Sequence, residues 1–344
     1  MVRVAILNVT GYGGLAAAGL ARDHPEMELV AVTARSQAGV ALAAVFPFWG
    51  GPDLTLLASL DDAPACDLVI SALPHTTSAQ ALAPLVRAGM RAVDISADFR
   101  LPDAALYEQW YGAAHPAPDL LPEAPYGLPE LYRERIAGAR LVANPGCYPT
   151  AAILALAPAV AGGLIEGGIV VDAKSGISGG GRSLTLTNHY SEVNESTMAY
   201  ALKGHRHLPE MEGALGDLAA GGGGPVPRIT FVPHLTPMTR GLLATCYADL
   251  RPGVDAARVR AAYQEFYADT PCTRVMDTPP ATKWTASTNL CLVHAAVDQR
   301  TGRLVAVGAI DNLVKGAAGQ AVQNANLMFG LPESMGLPLH VTYP

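Results

Sequence analysis

The stretch that most constrains the fold is residues 2–33, where two short apolar runs flank a glycine-rich turn. Residues 2–8 are mainly apolar, residues 10–14 read Thr-Gly-Tyr-Gly-Gly, and residues 15–21 have helical apolar spacing. The second apolar run covers residues 28–33. This order is typical of a dinucleotide-binding βαβ unit, because the glycines let backbone N–H groups approach a pyrophosphate. A purely structural loop is the alternative.

The turn departs from the usual fingerprint at its first glycine position, which Asn8 occupies. Gly11 and Gly14 then follow three residues apart. Because asparagine tolerates left-handed backbone better than most residues, the turn can survive this change. The pyrophosphate contact at this one position is the part of the pattern that the change affects.

The end of the second strand predicts which cofactor binds. An NAD-selective unit usually carries Asp or Glu there, to bond the ribose 2′-OH. Here the chain has Arg35 and Ser36 instead. A cation and a hydroxyl suit a 2′-phosphate, which favours NADP over NAD. An exposed arginine in a polar loop is the alternative.

Strand and helix patterns continue to alternate after this unit. Residues 67–75 predict a strand that runs into a loop, residues 91–95 predict another strand, and residues 78–88 predict a helix. Together they indicate a parallel, doubly wound sheet. Ligands bind at the carboxyl ends of such strands. The loops at those ends hold Ser71, Pro74, His75, Ser96 and Arg100. Arg100 can clamp a phosphate or carboxylate with two bonds, or it can be a surface arginine.

A lone cysteine lies in the turn at residues 144–150, Asn-Pro-Gly-Cys-Tyr-Pro-Thr, and an apolar helical run follows at residues 151–160. This places Cys147 at or just before a helix N-terminus. The helix dipole and the unbonded N–H groups there stabilise a thiolate, as a nucleophilic cysteine requires. A small residue buried in a tight bend is the alternative, since free cysteines are usually buried.

Residues 189–210 contain the densest polar cluster, with His205, His207 and Glu210 at its end. An acid/base histidine oriented by a carboxylate is one interpretation, and solvated loop histidines are another. A metal site is disfavoured because the i, i+2 histidine pair has no Cys or His partner at zinc-like spacing. We therefore predict no metal.

The second half of the chain predicts an α+β domain. Strands are expected at residues 168–173, 228–233, 241–250, 289–298 and 304–310, with a helix at 255–268. An open sheet face of this kind often packs against a second subunit. Two stretches predict little regular structure, namely the Pro- and Tyr-rich residues 101–139 and the glycine-rich surface loop at 221–225.

Residues 311–326 predict a helix that returns to the nucleotide domain, because small residues recur along it at helical spacing. The expected fold class is therefore α/β, a Rossmann-type doubly wound parallel sheet with an inserted α+β substrate and dimerisation domain. The expected domains are residues 1–146 plus 312–344 for NADP binding, and residues 147–311 for catalysis and oligomerisation.

Composition excludes several classes of function. The net charge is −7 and no Lys/Arg cluster occurs, which argues against nucleic acid as a partner. The five cysteines include no CxxC pair, which favours reduced thiols and a cytoplasmic location. A strand pattern begins directly after Met1, so no signal peptide is expected, and no apolar run reaches the roughly 18 residues that span a bilayer.

Six motifs in order resemble the N-acetyl-gamma-glutamyl-phosphate reductase family, a relative of aspartate-semialdehyde dehydrogenase with the glyceraldehyde-phosphate dehydrogenase architecture. They occupy residues 10–14, 94–100, 144–150, 191–195, 205–210 and 311–316. The resemblance implies NADPH-dependent conversion of the small-molecule acyl phosphate N-acetyl-glutamyl 5-phosphate to N-acetyl-glutamate 5-semialdehyde in arginine biosynthesis, through a cysteine thioester. It also implies a cytoplasmic homodimer or homotetramer.

The resemblance assigns roles to individual residues. Cys147 matches the nucleophile and His207 the acid/base histidine, with His205 and Glu210 in the same motif. The residues expected to bind substrate are Arg100, Asn144 and Arg206. The residues expected to bind NADP(H) are Thr10, Gly11, Tyr12, Gly13, Arg35, Ser36, Ser71, Pro74, Ser178, Gly179 and Asn312.

Two other functions are weaker alternatives. A sister reductase of lysine biosynthesis acts on carrier-protein-bound aminoadipyl phosphate, but its cysteine motif lacks the Tyr-Pro-Thr found at residues 148–150. A non-catalytic NADP-sensing protein would keep the glycine turn and would need no thiolate. The presence of Cys147 together with residues 205–210 argues against this second alternative.

Overall fold

The computed structural model of the chain describes residues 1–221 and 226–343. The chain divides into two compact units. Unit 1 comprises Met1–Pro145 and Ala317–Leu337, and unit 2 comprises Gly146–Gly316 and Pro338–Pro344. The chain therefore passes from unit 1 into unit 2, returns to unit 1 at Ala317 and enters unit 2 again at Pro338. Of the glycine-rich loop predicted at 221–225, residues 222–225 lie outside the described residues.

Unit 1 contains a sheet of five strands, β1 (Val2–Leu7), β2 (Met27–Val32), β3 (Leu68–Ser71), β4 (Arg91–Asp94) and β5 (Leu141–Ala143). Their order is β2-β1-β3-β4-β5, and every pairing is parallel. All four residues of β3 are buried, as expected for a parallel strand with helices on both faces of its sheet. The predicted Rossmann-type sheet is confirmed.

The helices of this part of the chain are α1 (Tyr12–Asp23), α2 (Leu42–Val45), α3 (Ser78–Arg87), α4 (Ala104–Tyr111) and α5 (Pro129–Ala137). The prediction of little regular structure at residues 101–139 is wrong, since this stretch contains α4, α5 and a 3₁₀ segment, Pro118–Glu123. Proline starts the last two elements, where its missing N–H removes no helical bond. At α4 the side chain of Asp103 caps the helix by accepting the N–H of Ala105.

Unit 2 is built on one sheet of seven strands in the order β10-β11-β12-β9-β6-β8-β7. The strands are β6 (Ile165–Gly176), β7 (Met198–Ala199), β8 (Ile229–Thr236), β9 (Leu242–Leu250), β10 (Thr273–Val275), β11 (Cys291–Asp298) and β12 (Arg303–Ile310). Two pairings, β6–β8 and β10–β11, are parallel, and the others are antiparallel. The sheet is therefore mixed.

The helices of unit 2 are α6 (Cys147–Ala161), α7 (Tyr190–Val193), α8 (Leu208–Gly221) and α9 (Ala256–Phe266). Nearly every residue of α6 is buried, and this helix packs against α8, α9, β9 and β12. A helix that is apolar on all sides forms the centre of a core. The close approach depends on Gly308, where a Cβ atom would lie 2.5 Å from the carbonyl oxygen of Ala151.

The last helix, α10 (Gly319–Met328), follows a π-helical turn at Val314–Ala318 and packs against α1 and α5. Its polar side chains are buried and bonded, since Gln320 Nε2 and Asn324 Nδ2 donate to the carbonyl of Gly127 at 2.7 and 2.9 Å. Within residues 1–221 and 226–343, no helix is both long and apolar enough to cross a membrane.

Candidate active site

Cys147 is the first residue of α6, directly after the N-cap residue Gly146. Its side chain is half-buried, and the N-cap makes no side-chain capping bond. A Cβ atom on Gly316 would lie only 2.8 Å from Cβ of Cys147, so glycine at position 316 leaves room for the cysteine. The sulfur therefore belongs to a helix N-terminus, where the dipole favours a thiolate.

Glu210 connects this helix start to a histidine. Its buried carboxylate accepts the N–H of Gly146 on Oε2 at 3.1 Å. The other oxygen, Oε1, lies 3.9 Å from Nε2 of His207, one helical turn away in sequence. A single carboxylate thus contacts the residue before the cysteine and the imidazole predicted to move a proton.

His205 supports the same arrangement. Its Nδ1 accepts the N–H of His207 at 3.1 Å, and the two ring centroids are 4.7 Å apart. Burial, with a smaller contribution from the Arg206 guanidinium, lowers the pKa of His205 to about 4. His205 is therefore a neutral imidazole near pH 7. Arg206 itself is exposed.

Aromatic side chains enclose the two histidines. The Tyr148 ring lies 5.8 Å from His205 and 6.0 Å from His207, and Phe231 lies 5.4 Å from His205, between centroids. The Tyr148 hydroxyl donates to the carbonyl of His234 at 2.8 Å. Burial raises the pKa of Tyr148 and raises that of Tyr200 to about 12, so both stay protonated. The sequence patterns did not indicate Phe231, although strand alternation in β8 points it inward with Ile229.

A second group of predicted residues meets elsewhere in unit 2. Asn312 Nδ2 donates to Ser178 Oγ at 2.9 Å, and its Oδ1 accepts the N–H of Gly241 at 2.9 Å. Gly179 lies in the same 3₁₀ segment as Ser178, Ile177–Gly180. Asn312 therefore links its own segment to the segment of Ser178 and to the loop before β9 that contains Gly241.

In unit 1 the glycine turn has the backbone that the sequence predicts. Asn8 is left-handed with φ of 62°, and its Nδ2 donates to the carbonyl of Ala72 at 2.9 Å. A Cβ atom on Gly14 would lie 2.2 Å from the carbonyl oxygen of Asn8, so only glycine fits there. Gly11 is the extended N-cap of α1 and has no side-chain capping bond. A glycine-lined helix start of this kind suits a pyrophosphate.

The other residues predicted to contact the cofactor in unit 1 differ in exposure. Thr10, Gly11 and Gly13 are half-buried, whereas Tyr12, Arg35, Ser36 and Pro74 are exposed. Ser71 is fully buried, and its Oγ lies 2.7 Å from Oγ of Ser78. Its hydroxyl is thus bonded inside unit 1.

Arg100 is buried and is not a surface arginine. Its Nε donates to the carbonyl of Asn144 at 2.7 Å, and one terminal nitrogen donates to the carbonyl of Ile95 at 2.7 Å. The Asn144 side chain donates to the carbonyl of Ala317 and accepts from Asn324, both at 3.0 Å. These two predicted substrate residues therefore contact each other.

Two buried carboxylates lie near the C-terminal end of β4, and the sequence had assigned them no role. Asp94 accepts the hydroxyls of Ser78 and Ser96 at 2.6 and 2.7 Å. Burial, with the nearby charge of Asp98, raises the pKa of Asp94 to about 6. Asp98 accepts the N–H of Thr76 at 2.7 Å, which ties the loop after β3 to this network.

In the described part of the chain, no group of three or more His, Cys, Asp and Glu side chains is arranged to hold a metal ion.

Comparison with other proteins decides the family. Residues 3–139 match the family described as "Semialdehyde dehydrogenase, NAD binding domain", and residues 147–312 match "Semialdehyde dehydrogenase, dimerisation domain". A protein of Dehalococcoides mccartyi named N-acetyl-gamma-glutamyl-phosphate reductase is 49% identical over 99% of both chains. Proteins of the same name from Symbiobacterium thermophilum (98% of this chain, 97% of the relative) and Heliobacterium modesticaldum (100% of both) are 51% and 48% identical.

The chain belongs to the N-acetyl-gamma-glutamyl-phosphate reductase family.

Solved structures agree with the fold of this reductase family. Aspartate semialdehyde dehydrogenase II of Vibrio cholerae, complexed with ASA, has a TM-score of 0.72 at 17% identity and covers 96% of this chain and 98% of its own. The Candida albicans aspartate semialdehyde dehydrogenase with NADP has a TM-score of 0.70 at 16% identity, with the same coverage. Identity at this level supports the fold alone. The resemblance inferred from the six motifs is confirmed by the full-length relatives.

Proposed function

We propose that this chain is an NADPH-dependent N-acetyl-gamma-glutamyl-phosphate reductase. It converts N-acetyl-glutamyl 5-phosphate to N-acetyl-glutamate 5-semialdehyde in arginine biosynthesis. The observation that carries the proposal is that the Glu210 carboxylate accepts the N–H of Gly146, the residue before Cys147, and lies 3.9 Å from the His207 imidazole. Full-length relatives that carry this reductase name support the same reaction.

The first chemical step belongs to Cys147. Its thiolate attacks the acyl carbon, a C–S bond forms, and the C–O bond to phosphate breaks. His207 takes the thiol proton, and Glu210 holds the imidazole by its nearby carboxylate. Backbone N–H groups in the first turn of α6 stabilise the oxyanion that develops on the acyl oxygen.

The second step reduces the thioester. When bound, NADPH supplies the hydride for this reduction. His207 returns a proton to the oxygen that was the acyl carbonyl, and collapse of the thiohemiacetal releases the aldehyde and Cys147. The aromatic wall formed by Tyr148 and Phe231 limits water beside the histidines, which protects the thioester from hydrolysis.

Cofactor binding is assigned to residues whose local structure fits it. The glycine turn at Thr10, Gly11, Tyr12 and Gly13 would receive the pyrophosphate, and Arg35 with Ser36 would receive the 2′-phosphate. The remaining proposed cofactor residues are Ser71, Pro74, Ser178, Gly179 and Asn312. The proposed substrate residues are Arg100, Asn144 and Arg206, and the guanidinium of Arg100 would bind an anionic group of the substrate.

We also infer that the chain forms a homodimer or homotetramer, since residues 147–312 match a dimerisation domain.

The test is a steady-state assay of the purified full chain with N-acetyl-glutamyl phosphate and NADPH, in which the absorbance of NADPH is monitored over time. The proposal predicts NADPH oxidation that depends on the acyl phosphate, and the reverse reaction with the semialdehyde, phosphate and NADP. Turnover restricted to carrier-protein-bound aminoadipyl phosphate would instead assign the chain to the lysine branch.

A further inference from the structure

Arg240 lies in the loop between β8 and β9, which is bonded to the segment after β6. Ile177 and Ser178 donate their N–H groups to the carbonyls of Met238 and Thr239 at 2.9 and 3.2 Å. A Cβ atom on Gly176 would lie 3.0 Å from the backbone nitrogen of Arg240. This close packing fixes the backbone from which the arginine side chain extends.

The guanidinium of Arg240 is anchored on a buried carboxylate. One of its terminal nitrogens lies 3.3 Å from Oδ2 of Asp311, and Asp311 is fully buried. The same carboxylate accepts three backbone N–H groups, from Ser287, Leu313 and Val314, at 2.7, 2.8 and 3.1 Å. These donors already stabilise the buried charge, so Asp311 does not depend on the arginine alone.

The contact to Asp311 uses one terminal nitrogen of the Arg240 guanidinium, a planar group that has five N–H donors. In the described part of the chain it is the one side-chain polar contact of this guanidinium. The Arg240 side chain is 36% exposed, so solutes can reach its remaining donors. Lys174, another cation of the same unit, forms an ion pair with Asp172 at 2.6 Å. Arg240 is thus an oriented cation with donors left for a planar anion, which the guanidinium fork binds with two parallel bonds.

The segment that anchors Arg240 also touches the nucleophile. The carbonyl of Asp311 accepts the N–H of Gly316 at 2.9 Å, and position 316 packs directly on Cys147. Between them, Asn312 bonds to Ser178 and Gly241. The arginine and the cysteine are therefore supported by the same six residues, 311–316.

We propose that Arg240 is a specificity residue that binds the carboxylate of the acyl substrate, with Asp311 as its positioning residue. This inference rests on the proposed function, because that substrate carries one free carboxylate in addition to its acyl phosphate. A guanidinium matches a carboxylate in shape and charge, and its loss leaves that charge without a bidentate partner.

The experiment runs the reaction in reverse, with NADP, phosphate and either N-acetyl-glutamate semialdehyde or the uncharged aldehyde butanal. Arg240→Gln is compared with Arg240→Lys and with the control Arg228→Gln, an exposed arginine of the same unit. For Arg240→Gln, KM for the semialdehyde is expected to rise about 10- to 100-fold, the loss of a hydrogen-bonded charge contact. The values of kcat, KM for phosphate and kcat/KM for butanal stay near those of the parent.

Arg240→Lys retains the charge without the fork, so its KM should lie between those of the parent and Arg240→Gln. The inference is overturned if Arg240→Gln raises KM for phosphate instead, if both aldehydes lose the same factor, or if Arg228→Gln has an equal effect. A parent protein that turns over neither aldehyde would overturn the proposed function itself, and this inference with it.

Discussion

Glu210 accepts the N–H of Gly146 at 3.1 Å, so the carboxylate nearest His207 is bonded to the residue that precedes Cys147. Gly146 and Glu210 are 64 positions apart in sequence. Gly146 is the N-cap of α6, and Glu210 lies in the first turn of α8. This bond fixes the start of α6 relative to the start of α8. The start of the helix that carries the proposed nucleophile and the proposed acid/base histidine thereby contact the same side chain.

Glu210→Gln tests that relationship. The amide keeps an acceptor for Gly146 but loses the charge beside His207, so kcat should fall about 100-fold, the lower range for a disturbed acid/base group. KM should change little, and the acidic limb of the kcat/KM–pH profile should shift. His207→Asn should lose at least as much, whereas Asp217→Asn, an exposed change on the same helix, should leave kcat unaltered. Equal kcat values for Glu210→Gln and the parent would contradict the assigned role.

His205 should make the folded state acid-sensitive. Its pKa is lowered to about 4 from an ordinary value near 6.5, so the folded state binds the proton less tightly than the unfolded state. The stability that this neutral ring contributes is present above about pH 6.5 and is lost as pH falls towards 4. We expect His205→Gln to lose less stability than the parent between pH 7 and 4.5, measured by urea unfolding. A parallel decline in both proteins would show that the ring is not responsible.

Asp94 should have the opposite effect on stability from His205, because its contribution is lost as pH rises. Its pKa is raised to about 6, so the folded state binds the proton more tightly than the unfolded state. The contribution to stability is therefore complete below about pH 3.8 and is lost as pH rises through 6. Asp94→Asn, which resembles the protonated carboxyl, should reduce the fall in unfolding free energy between pH 4.5 and 7. If the variant and the parent fall equally, the carboxyl is charged throughout.

Gly14 should not tolerate a side chain. Because a Cβ atom there would meet the carbonyl of Asn8 at 2.2 Å, Gly14→Ala must shift the turn or α1. We expect a loss of about 1–3 kcal/mol of stability and weaker NADPH binding, measured by thermal unfolding and fluorescence titration. Gly19→Ala is the control, since its Cβ meets nothing within 4 Å and alanine favours a helix. It should keep NADPH affinity and gain slightly in stability.

Local patterns predicted much of this structure. The strands of the parallel sheet, the glycine turn and the helix that begins at Cys147 each follow from apolar spacing and turn residues within about ten positions. The left-handed backbone at Asn8 follows from asparagine's tolerance of that conformation. The Pro- and Tyr-rich composition of residues 101–139 indicated little regular structure, yet two helices form there. The helix at residues 129–137 begins with a proline, which is favoured at a helix start. The helix at residues 104–111 contains no proline and begins after the capping residue Asp103.

Contacts between distant residues could not be predicted in this way. The pair Arg240–Asp311 joins residues 71 positions apart, and the bond between Ser78 and Asp94 joins residues 16 apart on different elements. Neither contact follows from a periodic pattern in the sequence. The burial of Arg100 was also undetermined, because it depends on the carbonyls of Asn144 and Ile95 that the fold brings to it.

The proposed covalent intermediate on Cys147 provides the most direct test of the mechanism. The full chain is mixed with N-acetyl-glutamyl phosphate without NADPH, quenched in acid and analysed by intact and peptide mass spectrometry. The mechanism predicts an added N-acetyl-glutamyl group on the peptide that contains Cys147, removed by later addition of NADPH and absent in Cys147→Ser. Cys66→Ser, which removes a half-buried thiol whose pKa is raised by burial, should still form the adduct. Full NADPH-dependent turnover by Cys147→Ser, or an adduct on another residue, would contradict it.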